Sequence, residues 1–145
     1  MSLGFIFPGQ GSQSIGMLAA LAGAYPVVQE TFATASDVLG FDLWQLVQNG
    51  PEDKLNETQN TQPALLSASV ATWRVWKEKQ GMQPALMAGH SLGEYSALVC
   101  AGAIKFEDAV SLVAKRGEYM QQAVPAGEGA MAAILGLSDE QVKSA

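Results

Sequence analysis

Cysteine and histidine are nearly absent from this sequence, which has one of each in 145 residues. The single cysteine, Cys100, excludes a disulfide framework and a cysteine-based zinc site, and it fits a reducing cytosol. We therefore expect a cytoplasmic protein without a metal centre. The single histidine, His90, limits which groups can act as a base, because histidine most often takes that role.

Positive charge and long hydrophobic runs are also scarce. Eight Lys and Arg residues against 14 Asp and Glu give a net charge of −6, whereas a nucleic-acid-binding protein shows a basic stripe. No charged side chain precedes Glu30, but the longest apolar piece of that segment, at 15–25, is shorter than the roughly 20 residues of a membrane-spanning helix. We expect no nucleic-acid partner and no membrane segment.

Apolar residues make up 48% of the sequence, enough for the core of a single domain. Three short apolar runs, at residues 5–7, 85–88 and 130–135, predict buried strands. Helical periodicity and capping residues predict helices at 26–39, 42–47, 63–80, 92–101 and 106–124. Strands that alternate with helices favour an α/β fold with a parallel sheet and flanking helices.

The sequence also predicts a loop, a helix cap and a boundary between subdomains. The polar residues 55–62 predict a loop, and Ser12 is a candidate cap for the helix that follows it. Residues 125–129 are the one candidate boundary between subdomains. Ser138 and Gln141 look like a capping box that opens a new helix near the end, so we expect this sequence to be the front part of a longer protein.

The serine in Gly89-His90-Ser91-Leu92-Gly93 follows a predicted strand and precedes a predicted helix. This is the arrangement of a nucleophile elbow, in which small residues two before and two after the serine permit a strained turn that exposes its hydroxyl. The backbone N–H of Leu92 would then be the natural donor to a developing oxyanion. The motif alone fits equally well a glycine-rich turn with Ser91 as a simple N-cap.

A serine nucleophile needs a base. His90 is adjacent to Ser91 in sequence, so its side chain should leave the elbow in a different direction. We therefore expect His90 to support the structure or the substrate site rather than to act as the base. No other histidine is available in the sequence to form a dyad.

Arg116 falls inside the apolar arc of the helix predicted at 106–124, between Ala109 and Leu112 around the helix axis. A buried guanidinium is costly unless it is paired, and its planar fork suits a carboxylate. An ion pair with Glu94, or a side chain that reaches the surface, is the plainer interpretation. The helix by itself leaves these interpretations open.

Four segments, in this order, resemble motifs of the malonyl-CoA:acyl carrier protein transacylase family. They are FPGQGSQ at 7–13, TQPA at 61–64, GHSLGEY at 89–95 and KRG at 115–117. GAMAA at 129–133 resembles the start of the family's small ferredoxin-like subdomain. The resemblance implies that residues 1–125 are the N-terminal part of an α/β-hydrolase-like core, and that 126–145 begin the subdomain.

The resemblance also implies roles at the matching positions. Ser91 would be the nucleophile that carries the acyl group as an ester, and Gln10 with the Leu92 N–H would form the oxyanion hole. Arg116 would bind the free carboxylate of a malonyl group. Gln62 would line the same pocket.

The implied activity is ping-pong transfer of a malonyl group from malonyl-CoA to acyl carrier protein, without a tightly bound cofactor. The family's catalytic histidine lies beyond the part of the fold that this sequence covers, so we expect residues 1–145 alone to be inactive. Two alternatives stay open. One is a serine esterase of the α/β-hydrolase class, which gives no account of Arg116, and the other is a non-catalytic fragment or interaction module.

Overall fold

The computed structural model of the chain describes residues 2–124 and 136–144. In chain order its elements are β1 (Gly4–Phe7), α1 (Ala19–Ala24), α2 (Pro26–Leu39), α3 (Leu43–Asn49), α4 (Glu52–Asn56), α5 (Thr58–Glu78), β2 (Leu86–Gly89), α6 (Leu92–Cys100), α7 (Phe106–Ala123) and α8 (Asp139–Ser144). The predicted α/β class is confirmed. The strand predicted at 130–135, the boundary at 125–129 and the motif at 129–133 lie outside the described residues.

The two strands are parallel neighbours, with Phe7 opposite Gly89 at their carboxyl ends. Parallel strands need a long crossover connection, and helices α1 to α5 provide it here. The loop after β1 and the turn after β2 therefore leave the same edge of the sheet side by side. In open α/β folds with a parallel sheet, this edge is where ligands bind.

The long helix α5 lies at the centre of the core and packs against α2, α6 and α7. Leu66, Val70 and Trp73, whose spacing predicted one apolar stripe, are all buried. The fully buried side chains around them include Val28, Phe32, Leu43, Leu55, Val110 and Val113. In the described ranges, no helix combines the length and the apolar character that crossing a membrane requires.

Three helices begin at the predicted residues, Pro26, Leu92 and Phe106. Pro26 suits the first position of α2, because an N–H there would have no intrahelical acceptor. α2 also ends as predicted, with Gly40 in the left-handed conformation at φ 75°. These boundaries were predictable because local chemistry sets them.

The loop predicted at 55–62 is wrong. α4 extends to Asn56 and α5 already begins at Thr58. Leu55 is fully buried, and so is Thr61, whose Oγ1 donates to Leu55 O at 2.6 Å. Polar residues can be buried when their hydrogen bonds are made locally. The polar composition of 55–62 was therefore not evidence for an exposed loop.

Ser12 does not cap a helix, contrary to expectation. The next helix, α1, begins at Ala19, and Leu18 occupies its N-cap position without a side-chain bond. The Ser12 hydroxyl donates instead to Gly9 O at 2.7 Å. Its hydrogen bond therefore stays within the loop that follows β1.

The capping box at the start of α8 is confirmed. The Ser138 N–H donates to Gln141 Oε1 at 2.8 Å, and the Gln141 N–H donates to Ser138 Oγ at 3.4 Å. These reciprocal bonds satisfy N–H groups that the first turn of a helix leaves without an intrahelical acceptor.

α7 approaches the backbone of α5 closely at Gly117. A Cβ on Gly117 would lie 2.6 Å from Gln59 Cα and 2.6 Å from Thr58 O. Such distances leave no room for a side chain, so any larger residue would separate the two helices. The glycine therefore holds its neighbour Arg116 against the first turns of α5.

Replacing Gly117 with alanine should lower the free energy of unfolding. The added methyl group would force the helices apart at a cost of about 1–3 kcal/mol, which outweighs the roughly 0.5–1 kcal/mol that alanine gains over glycine inside a helix. Gly23→Ala in α1 is the matched control, because a Cβ there meets nothing within 4 Å. Urea unfolding of both variants measures the difference, and equal stabilisation of both would contradict the close approach.

Candidate active site

Ser91 occupies a strained turn between β2 and α6. β2 ends at Gly89, α6 begins at Leu92, and Ser91 has φ 54° and ψ −111°. A positive φ is uncommon for a residue other than glycine and costs on the order of 1–3 kcal/mol. The predicted context of strand, serine and helix is confirmed, and Ser91 is exposed.

The two glycines of the motif are required by close backbone packing. A Cβ on Gly89 would lie 2.1 Å from the carbonyl carbon and oxygen of Gly93. A Cβ on Gly93 would lie 2.3 Å from Phe7 O in the neighbouring strand. No side chain fits at either place, so β1, β2 and the start of α6 meet backbone to backbone beside Ser91.

Ser91 is not a simple N-cap. It occupies the N-cap position of α6, but its side chain makes no capping hydrogen bond. Its Oγ instead accepts a hydrogen bond of 2.9 Å from Arg116 Nη2. The hydroxyl is therefore engaged by a side chain of α7 and not by the helix that it precedes.

The Arg116 guanidinium joins the elbow to the start of α5. Nη2 donates to Ser91 Oγ, and Nη1 donates to Gln62 Oε1 at 2.7 Å. The guanidinium carbon also lies 5.6 Å from the centre of the Tyr95 ring, within the range of a cation–π contact. Tyr95 is the last residue of the GHSLGEY motif, but the sequence predicted no role for it.

Arg116 has neutral hydrogen-bond partners. The ion pair with Glu94 that we considered for it is wrong, since the only salt bridge among the described residues joins Lys115 and Glu118 at 3.8 Å. Arg116 is half-buried, so it does not reach freely into solvent either. A half-buried guanidinium with uncharged partners is well suited to bind an anion such as a carboxylate.

Gln62 is fully buried, and both ends of its amide are used. Oε1 accepts the bond from Arg116, and Nε2 donates to Met120 Sδ at 3.4 Å. A thioether sulfur can only accept, so this contact sets which end of the amide faces Arg116. Sequence reasoning missed Met120, although its position one helical turn after Arg116 was a usable signal.

Gln10 lies in the loop of residues 8–13, which we call the Gln10 loop. Gln10 is exposed, and its Nε2 donates to Thr58 Oγ1 at 3.1 Å. The residue before it passes close to the elbow, since a Cβ on Gly9 would lie 3.3 Å from His90 O. The predicted proximity of the Gln10 loop to the serine turn therefore rests on direct backbone contact.

The first turn of α6 brings backbone N–H groups to the elbow. The N–H of Gly93 donates to His90 O at 2.9 Å, and the N–H of Glu94 donates to Ser91 O at 3.2 Å. Within the described part of the chain, no group accepts the N–H of Leu92. An N–H in the first turn has no intrahelical acceptor, so that of Leu92 is available to a ligand.

Among the described residues, the hydrogen bond to the Ser91 hydroxyl comes from Arg116 and not from the imidazole of His90. The Ser91 hydroxyl bonds to Arg116, and His90 is exposed on the turn. Among the described residues, none is hydrogen-bonded to the imidazole; only the backbone carbonyl of His90 takes part in the elbow. That His90 is not the base stays a prediction.

Cys100 does not compete with Ser91 as a nucleophile. Burial raises the pKa of its thiol to about 12, and the nearby cations Arg74 and Lys77 only partly oppose that shift. The thiol therefore stays protonated at neutral pH, and a thiol is a far weaker nucleophile than a thiolate.

Known proteins are similar to this sequence over nearly its whole length. The family model for the acyl transferase domain matches residues 4–145. The chain belongs to the acyl transferase domain family. It is 65% identical over 141 residues to the malonyl CoA-acyl carrier protein transacylase of Salmonella typhimurium and 52% identical over 141 residues to that of Bacillus subtilis. Each match covers 97% of this chain, but only 46% of the Salmonella typhimurium protein and 44% of the Bacillus subtilis protein.

Solved structures agree with the fold of this acyl transferase domain. An acyl carrier protein S-malonyltransferase from Vibrio cholerae superposes with a TM-score of 0.92 at 63% identity, over 99% of this chain and 47% of that one. A structure of a type II PKS acyl-carrier protein in complex with its malonyl-transacylase matches with a TM-score of 0.94 at 64% identity, with the same coverage. The chain thus spans about half the length of the relatives that it matches.

Removing the Gln62 amide should destabilise the domain more than removing an exposed amide does. Gln62→Met leaves Arg116 Nη1 without its acceptor, and losing this part-buried bond costs on the order of 1 kcal/mol. Gln45→Met is the matched control, because Gln45 Oε1 also accepts one side-chain N–H, from the Asn49 amide at 2.9 Å, but at an exposed position. Urea unfolding compares the two variants, and similar losses would mean that Gln62 does not stabilise Arg116.

Proposed function

We propose that the protein is an acyltransferase that moves a malonyl group from CoA to the phosphopantetheine thiol of acyl carrier protein, by way of an ester on Ser91. The observation that carries the proposal is the 2.9 Å bond from Arg116 Nη2 to Ser91 Oγ. It holds a cation one hydrogen bond away from an exposed serine on a strained elbow. The relatives' name, malonyl CoA-acyl carrier protein transacylase, supports the same substrate and partner.

Arg116 would bind the free carboxylate of the malonyl group. A guanidinium can give a carboxylate two parallel N–H bonds, and Arg116 now gives one bond to Gln62 and one to Ser91. A bound carboxylate would take over the donor that holds Ser91 Oγ, which releases the hydroxyl for attack. Gln62 would keep the guanidinium in place during this exchange.

The reaction consists of two acyl transfers. Ser91 Oγ attacks the thioester carbonyl and gives its proton to a base, the C–S bond breaks, and CoA leaves as a thiol after taking up a proton. The phosphopantetheine thiol of acyl carrier protein then attacks the ester and loses its proton. The ester C–O bond breaks, and the Ser91 oxygen is protonated again. His90 is not the base in this scheme, and the family resemblance implies a histidine from farther along the fold.

Gln10 and Leu92 would stabilise the oxyanion of each tetrahedral intermediate. The side-chain amide of Gln10 is bonded to Thr58, so we assign this role to the backbone N–H of Gln10. The N–H of Leu92 adds the positive end of the α6 dipole. Removing one such donor typically lowers kcat by about 10²–10³.

We also propose a fold class and a cellular location for the protein. Residues 1–125 would be the N-terminal part of an α/β-hydrolase-like core, and 126–145 the start of a ferredoxin-like subdomain. A serine elbow after a parallel strand supports the first assignment. The single cysteine supports a cytoplasmic location. CoA enters as part of the substrate and leaves as product, so the scheme needs no tightly bound cofactor.

The direct test is acylation of the protein produced from its complete reading frame. We expect brief incubation with malonyl-CoA to add one malonyl group, which peptide mapping by mass spectrometry locates on Ser91. Ser91→Ala should take up none, and holo-acyl carrier protein should remove the group from the native protein. A native protein that stays unlabelled would refute the proposal, and rapid hydrolysis of simple esters would favour an esterase.

Arg116→Ala should impair loading of malonyl far more than loading of acetyl. The variant loses the cation that meets the malonyl carboxylate, which is expected to slow malonyl loading by about a hundredfold, as loss of one partner of a buried charge pair does. Acetyl has no carboxylate and should be affected little. Lys115→Ala is the matched control, because Lys115 is the preceding residue but pairs with Glu118.

The measurement is the rate of ester formation on Ser91 with each thioester. Equal losses for malonyl and acetyl in Arg116→Ala would contradict the carboxylate-binding role. A comparable loss of malonyl loading in Lys115→Ala would mean that the overall positive charge of α7, and not a specific bond from Arg116, favours malonyl.

A further inference from the structure

The Gln10 loop is fixed by side-chain hydrogen bonds and not by regular secondary structure. The Ser12 hydroxyl donates to Gly9 O at 2.7 Å. The Gly11 N–H donates to Gln13 Oε1 at 2.9 Å. These two bonds act on the two peptide groups on either side of Gln10.

Ser12 sets the direction of the Gln10 N–H. The Gly9 carbonyl and the Gln10 N–H belong to one peptide group, which is planar and almost always trans, so the two bonds point in opposite directions. With the carbonyl held by Ser12, the N–H points away from Ser12. No group of residues 2–124 or 136–144 accepts this N–H, so it is available to an oxyanion.

Gln13 restrains the next peptide group from the other side. Its Oε1 holds the Gly11 N–H, and its Nε2 donates to Asn56 Oδ1 at 2.8 Å, at the end of α4. Gly11 itself has φ 105°, a conformation that residues with side chains rarely adopt. The loop therefore depends on both the glycine and the two side-chain bonds for its path.

The loop needs this restraint because it lies directly against the elbow. A Cβ on Gly93 would lie 3.0 Å from Pro8 O, and a Cβ on Gly9 would lie 3.3 Å from His90 O. The backbone that enters the loop is thus in contact with the turn that carries Ser91. A rotation of the peptide after Gly9 would turn the Gln10 N–H away without moving the strand before it.

We propose that Ser12 is a positioning residue for acyl transfer, which aims the Gln10 N–H at the oxyanion, and that Gln13, anchored by Asn56, supports the same loop. The inference rests on the proposed function, since it assumes that acylation occurs at Ser91. It extends that function to residues that touch neither the substrate nor Ser91.

This role has a kinetic signature that differs from that of Arg116. An oxyanion forms with every acyl group, so loss of Ser12 must slow malonyl and acetyl transfer by the same factor. The oxyanion exists only in the transition state and the intermediate, so kcat should fall while KM stays unchanged. The bonds lie on the surface of the protein, and removing one exposed hydrogen bond should leave folding intact.

The test uses the protein produced from its complete reading frame, with malonyl-CoA and acetyl-CoA as substrates. Ser12→Ala is expected to lower kcat by about tenfold to a hundredfold with both, as misplacement of a catalytic group does. Ser12→Thr keeps the hydroxyl and should restore the native rate. Ser144→Ala is the matched control, because Ser144 Oγ also donates to an exposed carbonyl three residues earlier, at 2.9 Å.

Native kcat in Ser12→Ala would overturn the inference, and so would a changed ratio of malonyl to acetyl rates or failure of Ser12→Thr to restore activity. If circular dichroism shows that Ser12→Ala is unfolded, Gln13→Leu provides the second test, with the same equal loss expected and native kcat again overturning the role. Native protein that takes up no malonyl group would instead refute the proposed function, so the two failures are distinguishable.

Discussion

The burial of the first turns of α5 is the constraint on which the site depends. Thr58 at the start of the helix binds the side chain of Gln10, and Gln62 one turn later binds Arg116. Gly117 packs against the backbone of the same turn. Polar side chains can be buried here only because they find hydrogen-bond partners. The bond that satisfies the buried Gln62 is therefore also the one that holds the arginine, while the half-buried Thr58 holds the Gln10 side chain.

The strain at Ser91 is maintained by its surroundings. Relaxing its positive φ would require β2 or the start of α6 to move, but Gly89 and Gly93 leave no space between these backbones and Phe7. The roughly 1–3 kcal/mol of strain is thus offset by packing that would be lost on relaxation. The Ser91 hydroxyl therefore stays exposed and accepts its hydrogen bond from Arg116, a residue 25 positions away in sequence.

Local chemistry made part of this site predictable. The glycines around Ser91 and the position of Arg116 in an apolar arc could be derived from spacing alone, because sterics and helical periodicity act within a few residues. The hydrogen-bond partner of Arg116 could not be derived in this way, since Gln62 lies 54 residues away in sequence. Spacing alone made Glu94 an equally acceptable partner. The helices within 55–62 were missed because the buried polar residues Asn60 and Thr61 bond to nearby backbone carbonyls, and a polar composition does not reveal such bonds.

An amide beside Arg116 has an electrostatic consequence that a carboxylate would not have. The chain carries a net charge of −6, yet exposed charges farther than about 8–10 Å away are largely screened at physiological salt. A half-buried guanidinium is screened much less, so its immediate partners decide whether it attracts an anion. Gln62 accepts a hydrogen bond from Arg116 without cancelling its charge, whereas an ion pair with Glu94 would have neutralised it. The position of the Arg116 guanidinium is thus fixed by two neutral oxygens, Gln62 Oε1 and Ser91 Oγ. Its positive charge is therefore not neutralised and can attract an anionic ligand.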